Sequence, residues 1–89
     1  MESGPFIGID VSQEYLDVAV SGQKRVLRVT SDEAGLQSLL RQLQEKEPEL
    51  IVMEASGGYE RRPAAVLLGG GLPVAVVNPR QARDFARSL

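Results

Sequence analysis

The sequence of 89 residues contains no cysteine and no histidine. Disulfides, zinc sites built from thiolates or imidazoles, and cysteine nucleophiles are therefore excluded, and a Ser-His-Asp triad cannot be completed within the chain. Any bound metal would need oxygen ligands. Aromatic residues make up only 4% of the sequence, so side chains on which nucleic-acid bases could stack are scarce.

Long hydrophobic runs are also missing. No segment approaches the roughly 20 apolar residues that cross a bilayer, and the amino terminus, Met1–Pro5, is short and acidic, unlike a secretory leader. We therefore expect a cytoplasmic protein with no membrane partner. A hydrophobic content of 43% fits a folded core, and the length fits one modest domain, 1–89.

Basic residues are few overall but unevenly distributed. The net charge of −2 and the pI of about 5.0 argue mildly against a nucleic-acid binder. However, residues 1–60 hold 5 Lys/Arg and 11 Asp/Glu, whereas residues 61–89 hold 5 Arg and 1 Asp. Such asymmetry between the two halves is a hint that one end faces nucleic acid.

The hydrophobic periodicity predicts five strands and three helices. The expected strands are Phe6–Ser12, Tyr15–Val20, Lys24–Thr30, Leu50–Met53 and Pro73–Val77. The expected helices cover about 32–46, Tyr59–Leu68 and a segment that starts at Asn78-Pro79. Right-handed crossovers place the fourth strand parallel to the first and beside it. The prediction is an α/β fold with a mixed five-stranded sheet in the order 3-2-1-4-5, strand 2 antiparallel, which is the ribonuclease H topology.

Two acidic residues, Asp10 and Glu54, each close an apolar strand and lead into a turn. If the two strands are parallel neighbours, both carboxylates reach the edge of the sheet where open α/β sheets bind ligands. Convergent carboxylates suit Mg²⁺, and a pair of such ions can clamp the attacking and leaving oxygens of a phosphoryl transfer. The alternative is that both are solvated turn residues that cap nearby amides.

The turn Ser56-Gly57-Gly58 precedes a predicted helix. Free amides and the helix dipole at such a position attract anions, so Ser56 and Gly57 are candidate contacts for a nucleic-acid phosphate. The alternative is an ordinary turn that needs glycine for its dihedral angles. Ser12, close to Asp10, is either a hydrogen-bond donor that supports this carboxylate or a residue of the turn itself.

Arg80, Arg83 and Arg87 fall at positions i, i+3 and i+7, on one face of the last predicted helix. Together with Arg61 and Arg62 they are candidate contacts for a nucleic-acid backbone. The alternative is a solvated face whose cations complement the helix dipole. Phe85, on the same helix, is interpreted as a core residue.

Three motifs, Gly8–Ser12, Met53–Glu60 and Val76–Gln81, resemble the N-terminal domain of DEDD-type insertion-sequence transposases, in the insertion-sequence family numbered one hundred and ten. The resemblance covers essentially the whole chain. It implies a ribonuclease H-like domain related to Holliday-junction resolvases, in which Asp10 and Glu54 match the first two acids of a metal-binding tetrad. It further implies Mg²⁺ or Mn²⁺ as cofactor, DNA as partner, a guide RNA in some members, a homo-oligomeric full-length protein, and action at the prokaryotic nucleoid.

The chain departs from the family pattern in several places. Ser56 stands where Thr is frequent, and Gln13 where Lys is common. The third and fourth acids of the family lie on an Asp-x-x-Asp helix beyond the last helix predicted here, and Asp84 matches neither of them. The serine-bearing C-terminal domain has no counterpart either. We therefore expect residues 1–89 to fold, to retain metal poorly and to be inactive without these parts.

Two other functions remain open on sequence grounds. A fragment of an actin-like or sugar-kinase ATPase would share the topology, but its first strand would be followed by a glycine-rich phosphate hairpin, and Ser12-Gln13-Glu14 lacks glycine. A non-catalytic interaction domain would use an exposed edge strand or helix and would not need Asp10 or Glu54.

Overall fold

A computed structural model describes residues 4–78. Along the chain it contains five strands and two helices: β1 Phe6–Val11, β2 Tyr15–Val20, β3 Val26–Thr30, α1 Glu33–Lys46, β4 Leu50–Glu54, α2 Arg61–Gly69 and β5 Val74–Val77. The third predicted helix, with Arg80, Arg83, Phe85 and Arg87, lies outside the described residues. Within the described part, neither helix has the length and apolar character needed to cross a membrane.

The strands form one sheet in the order β3-β2-β1-β4-β5. β2 is antiparallel to β1 and to β3, whereas β4 is parallel to β1 and to β5. The predicted order and strand directions are therefore confirmed. β1 and β4 are neighbours because the connection through α1 carries the chain from β3 past β2 and β1 to the other side of the sheet.

Along the three central strands, β2, β1 and β4, successive side chains point to opposite faces of the sheet. Odd positions of β1 and β4 and even positions of β2 pack with leucines of α1 and with α2 in one buried cluster. The fully or nearly buried members are Ile7, Ile9, Leu16, Val18, Leu36, Leu39, Leu43, Ile51, Met53 and Leu67. Because the strand period is two, the intervening residues point to the other face. We call this the carboxylate face, since it carries Asp10, Asp17 and Glu54.

Asp32 caps the amino terminus of α1. Its Oδ1 accepts hydrogen bonds from the Gly35 amide at 2.8 Å and from Thr30 Oγ1 at 2.9 Å. These bonds hold the pKa of the Asp32 carboxyl below its usual value, with the Gly35 amide as the largest cause. The helix ends at Lys46, before Glu47, which adopts the left-handed conformation with φ of 48°.

The expected boundaries are wrong by one or two residues at several ends. β1 stops at Val11 because Ser12 begins the tight turn to β2, and β3 starts at Val26 rather than Lys24. α2 begins at Arg61 instead of Tyr59. Gly57 and Gly58 have φ of 66° and 109°, outside the helical range. Tyr59 and Glu60 belong to the same turn, in which the Tyr59 amide donates to the Ser56 carbonyl and the Arg61 amide to the Gly58 carbonyl.

Candidate functional site

Asp10 and Glu54 lie side by side at the carboxyl ends of two parallel strands. The β1–β4 register pairs Ile9 with Met53, so Asp10 and Glu54 are the next residues on their strands and share the carboxylate face. Neighbouring strands are about 4.8 Å apart, which brings the two backbones within reach of one cation. Asp10 is exposed and Glu54 is half-buried. Among residues 4–78, neither carboxylate has a hydrogen-bond or ion-pair partner.

A third carboxylate, Asp17, lies directly opposite Asp10 on β2. It is bound by Arg28 of β3 through two hydrogen bonds, Nε to Oδ1 at 2.7 Å and Nη2 to Oδ2 at 3.0 Å. The hydrogen bond from Arg28 holds the pKa of Asp17 below its usual value. The guanidinium carbon also stands 4.9 Å from the centre of the Tyr15 ring. Asp17 is therefore bound by Arg28, whereas Asp10 and Glu54 are the two acids of the carboxylate face that no described side chain binds.

The turn that follows Glu54 is organised by Glu60. This side chain is 8% exposed, and its Oε1 accepts hydrogen bonds from the amides of Ser56 at 2.7 Å and Gly58 at 3.0 Å. The two amides, with Ser56 the larger contributor, hold the pKa of the Glu60 carboxyl below its usual value. In addition, Ser56 Oγ donates to the carbonyl oxygen of Glu54 at 3.3 Å.

Sequence reasoning missed the role of Glu60. The signal available was the short spacing between a Gly-Gly turn and an acidic residue at the start of a helix. The hydrogen bonds to Glu60 argue against a phosphate contact at two amides of this turn, because the amides of Ser56 and Gly58 already donate to a carboxylate. The Ser56 hydroxyl donates to the Glu54 carbonyl, so among the described residues of this turn the Gly57 amide is the donor that remains for a nucleic-acid contact.

The other candidate residues divide into two groups. Ser12 belongs to its turn: its hydroxyl donates to the Tyr15 carbonyl at 3.0 Å and accepts from the Tyr15 amide at 3.2 Å, so it does not support Asp10. Arg61 and Arg62 are exposed at the start of α2. Arg62 approaches Glu33 at 3.8 Å, in a pair that is largely solvated.

The donor set fits part of a site for a hard divalent cation. Mg²⁺ and Mn²⁺ prefer carboxylate oxygens and keep several waters, and Asp10 and Glu54 offer such oxygens free of competing partners. Residues 4–78 contain no group of three or more side chains able to hold a metal ion together. The described residues thus bring together two free carboxylates, which is fewer than a complete ligand set for such a cation.

Comparison with models of protein families identifies the family of this chain. The family model of the IS110 DEDD transposases, described as transposase, matches residues 7–89. No curated protein matches the chain. The matched segment omits only the first six residues and includes both Asp10 and Glu54. Members of this family generally use a divalent metal. The family match shows that the chain belongs to the IS110 family of DEDD transposases, and its sheet order is that of a ribonuclease H-like fold.

Proposed function

We propose that Asp10 and Glu54 are two of the carboxylate ligands for Mg²⁺ or Mn²⁺ in a DNA transposase, and that this site serves DNA cleavage and strand transfer. The observation that carries the proposal is their adjacency on β1 and β4, with neither carboxylate engaged by another described side chain. A bound divalent cation would polarise a phosphoryl oxygen and lower the pKa of a coordinated water. Asp10 and Glu54 would hold and orient that cation at the end of the sheet.

The partner in this proposal is DNA. Arg61 and Arg62 begin a stretch of the sequence whose net charge is positive, and with Arg80, Arg83 and Arg87 they are the proposed contacts to the phosphate backbone. A guide RNA and a homo-oligomeric full-length protein remain part of the proposal on the strength of the family alone. The same family match argues against an actin-like or sugar-kinase ATPase.

Metal titration of the chain tests the two ligands. We expect substoichiometric Mn²⁺ to broaden the amide resonances of residues around positions 10 and 54 in the NMR spectrum. Asp10→Asn and Glu54→Gln should each weaken Mn²⁺ binding by about tenfold or more, because each removes one of two charged ligands. Glu49→Gln, which removes an exposed charge just before β4, should leave the affinity unchanged. Equal affinities for all four proteins would contradict the proposal.

The 89-residue chain should not cleave DNA by itself. Two carboxylates supply only half of the acids that the family pattern requires, so the cation would be held weakly and in variable geometry. We expect no Mg²⁺-dependent cleavage of a branched DNA above the rate of the Asp10→Asn variant. Robust cleavage that requires Asp10 would show that residues 1–89 are sufficient for catalysis.

A further inference from the structure

We infer that Glu60 is a positioning residue for Glu54, and that it acts by fixing the turn between β4 and α2. The inference rests on the proposed function, since it gives Glu60 a role in metal binding rather than in folding alone. Glu60 does not contact the proposed site. Its effect would pass through the backbone that leaves Glu54.

The carboxylate of Glu60 is a built-in part of this turn. It is almost fully buried at 8% exposure, and it satisfies two backbone amides with one oxygen. Burial of a carboxylate is unfavourable unless strong hydrogen bonds compensate, and bonds from amides to a charged acceptor are among the strong ones. The turn and the side chain therefore require each other.

The direction of the Glu54 side chain depends on the backbone on either side of it, because no described residue bonds to its carboxylate. On the amino-terminal side, pairing with β1 and β5 fixes the strand. On the carboxyl-terminal side, the Ala55 amide continues the ladder by donating to the Val77 carbonyl, and the next contact is the hydrogen bond from the Ser56 hydroxyl to the Glu54 carbonyl. Ser56 is held in turn by Glu60. Glu54 is thus the last residue of β4 and lies where the paired strand ends and the turn begins.

Two consecutive glycines make the turn sensitive to the loss of Glu60. Gly57 and Gly58 both adopt positive φ, and glycine is the residue that loses most conformational freedom when a single conformation is imposed. Without the Glu60 carboxylate, the amides of Ser56 and Gly58 would lose their acceptor and the turn would sample other conformations. The direction of the Glu54 side chain would then vary, and a metal ligand would be less well placed.

The experiment is a double-mutant cycle on Mn²⁺ affinity in the full chain. Glu60→Ala should weaken binding by about tenfold, the lower end of what loss of an outer partner of a metal ligand causes. Glu60→Gln should weaken it by about threefold, because a neutral amide oxygen accepts bonds roughly half as strong. Neither change should weaken binding further once Glu54→Gln is present, since the effect passes through Glu54. Glu45→Ala, on the exposed side of α1, is the matched control.

A pH titration adds a readout that follows Glu60 itself. Its pKa lies below the ordinary value of 4.5, so the hydrogen bonds are complete above that value and are lost as pH falls through the lowered pKa. The amide shifts of Ser56 and Gly58 should titrate in this window in the natural sequence and not in Glu60→Gln.

The possible outcomes separate the two proposals. If Asp10→Asn and Glu54→Gln weaken binding but folded Glu60 variants do not, the positioning role is wrong and the metal site stands. If the Glu60 variants weaken binding equally in the presence and absence of Glu54→Gln, their effect does not pass through Glu54 and the inference also fails. If none of the acidic variants changes the affinity, the proposed metal site is itself wrong. Should Glu60→Ala fail to fold, Glu60→Gln decides.

Discussion

A full-length transposase that carries Asp10→Asn should lose transposition by roughly a thousandfold. Metal ions supply several kcal/mol of transition-state stabilisation in reactions of this type, and each 1.36 kcal/mol corresponds to a factor of ten in rate. Asparagine keeps the size of Asp10 but removes its charge, so the fold should persist while the cation is lost. Glu54→Gln should have an effect of similar size. The measurement is the transposition frequency of each variant at equal protein abundance.

Asp17→Asn is the matched control for this experiment. Asp17 lies on the same face and directly opposite Asp10. Its carboxylate is bound by Arg28, and the Asp17 side chain is 32% exposed to solvent. Asp17 is not one of the proposed metal ligands, so transposition should stay within a few-fold of the natural protein. Undiminished transposition by Asp10→Asn and Glu54→Gln would favour the reading of this domain as a non-catalytic interaction module.

The neighbourhood of Asp10 and Glu54 could be predicted because it depends on rules that act over the whole chain. Alternating apolar residues identify the strands, and the handedness of crossovers places β4 beside β1. Once the strands are neighbours, the position of each acid at the end of its strand brings both to the same edge. No further local information is required, because the register of the parallel pair β1–β4 places the acid of one strand beside the acid of the other.

The part that could not be predicted depends on where single side chains turn. Glu60 lies at the start of α2, where an acidic residue ordinarily interacts with its own helix, and its reach back to Ser56 and Gly58 follows from two positive-φ glycines whose conformations the sequence does not specify. The pairing of Asp17 with Arg28 likewise requires the register of β2 and β3. The alternation of side chains along the strands does not fix that register alone, because the register also depends on the geometry of the turn that connects β2 and β3.

Replacement of Gly35 by alanine should destabilise the fold. It lies in the first turn of α1, where its amide donates to Asp32 Oδ1. A Cβ atom at this position would overlap the carbonyl oxygen of Thr30 and stand 2.6 Å from Thr30 Oγ1. Thr30 is the last residue of β3 and is paired with Tyr15 across the sheet. The obstacle is therefore backbone that the sheet itself holds in place.

Gly35→Ala should lower the free energy of unfolding by about 2 kcal/mol, even though alanine is the better helix former by about 1 kcal/mol, because overpacking against fixed backbone costs up to about 3 kcal/mol. For a domain of this size, such a loss lowers the melting temperature by roughly 8–16 °C. Gly69→Ala is the matched control, since Gly69 is also helical and a Cβ there meets nothing within 4 Å. It should stabilise by about 0.5 kcal/mol or more. Thermal unfolding of both variants should therefore move in opposite directions, and a Gly35→Ala protein as stable as Gly69→Ala would show that α1 does not approach β3 this closely.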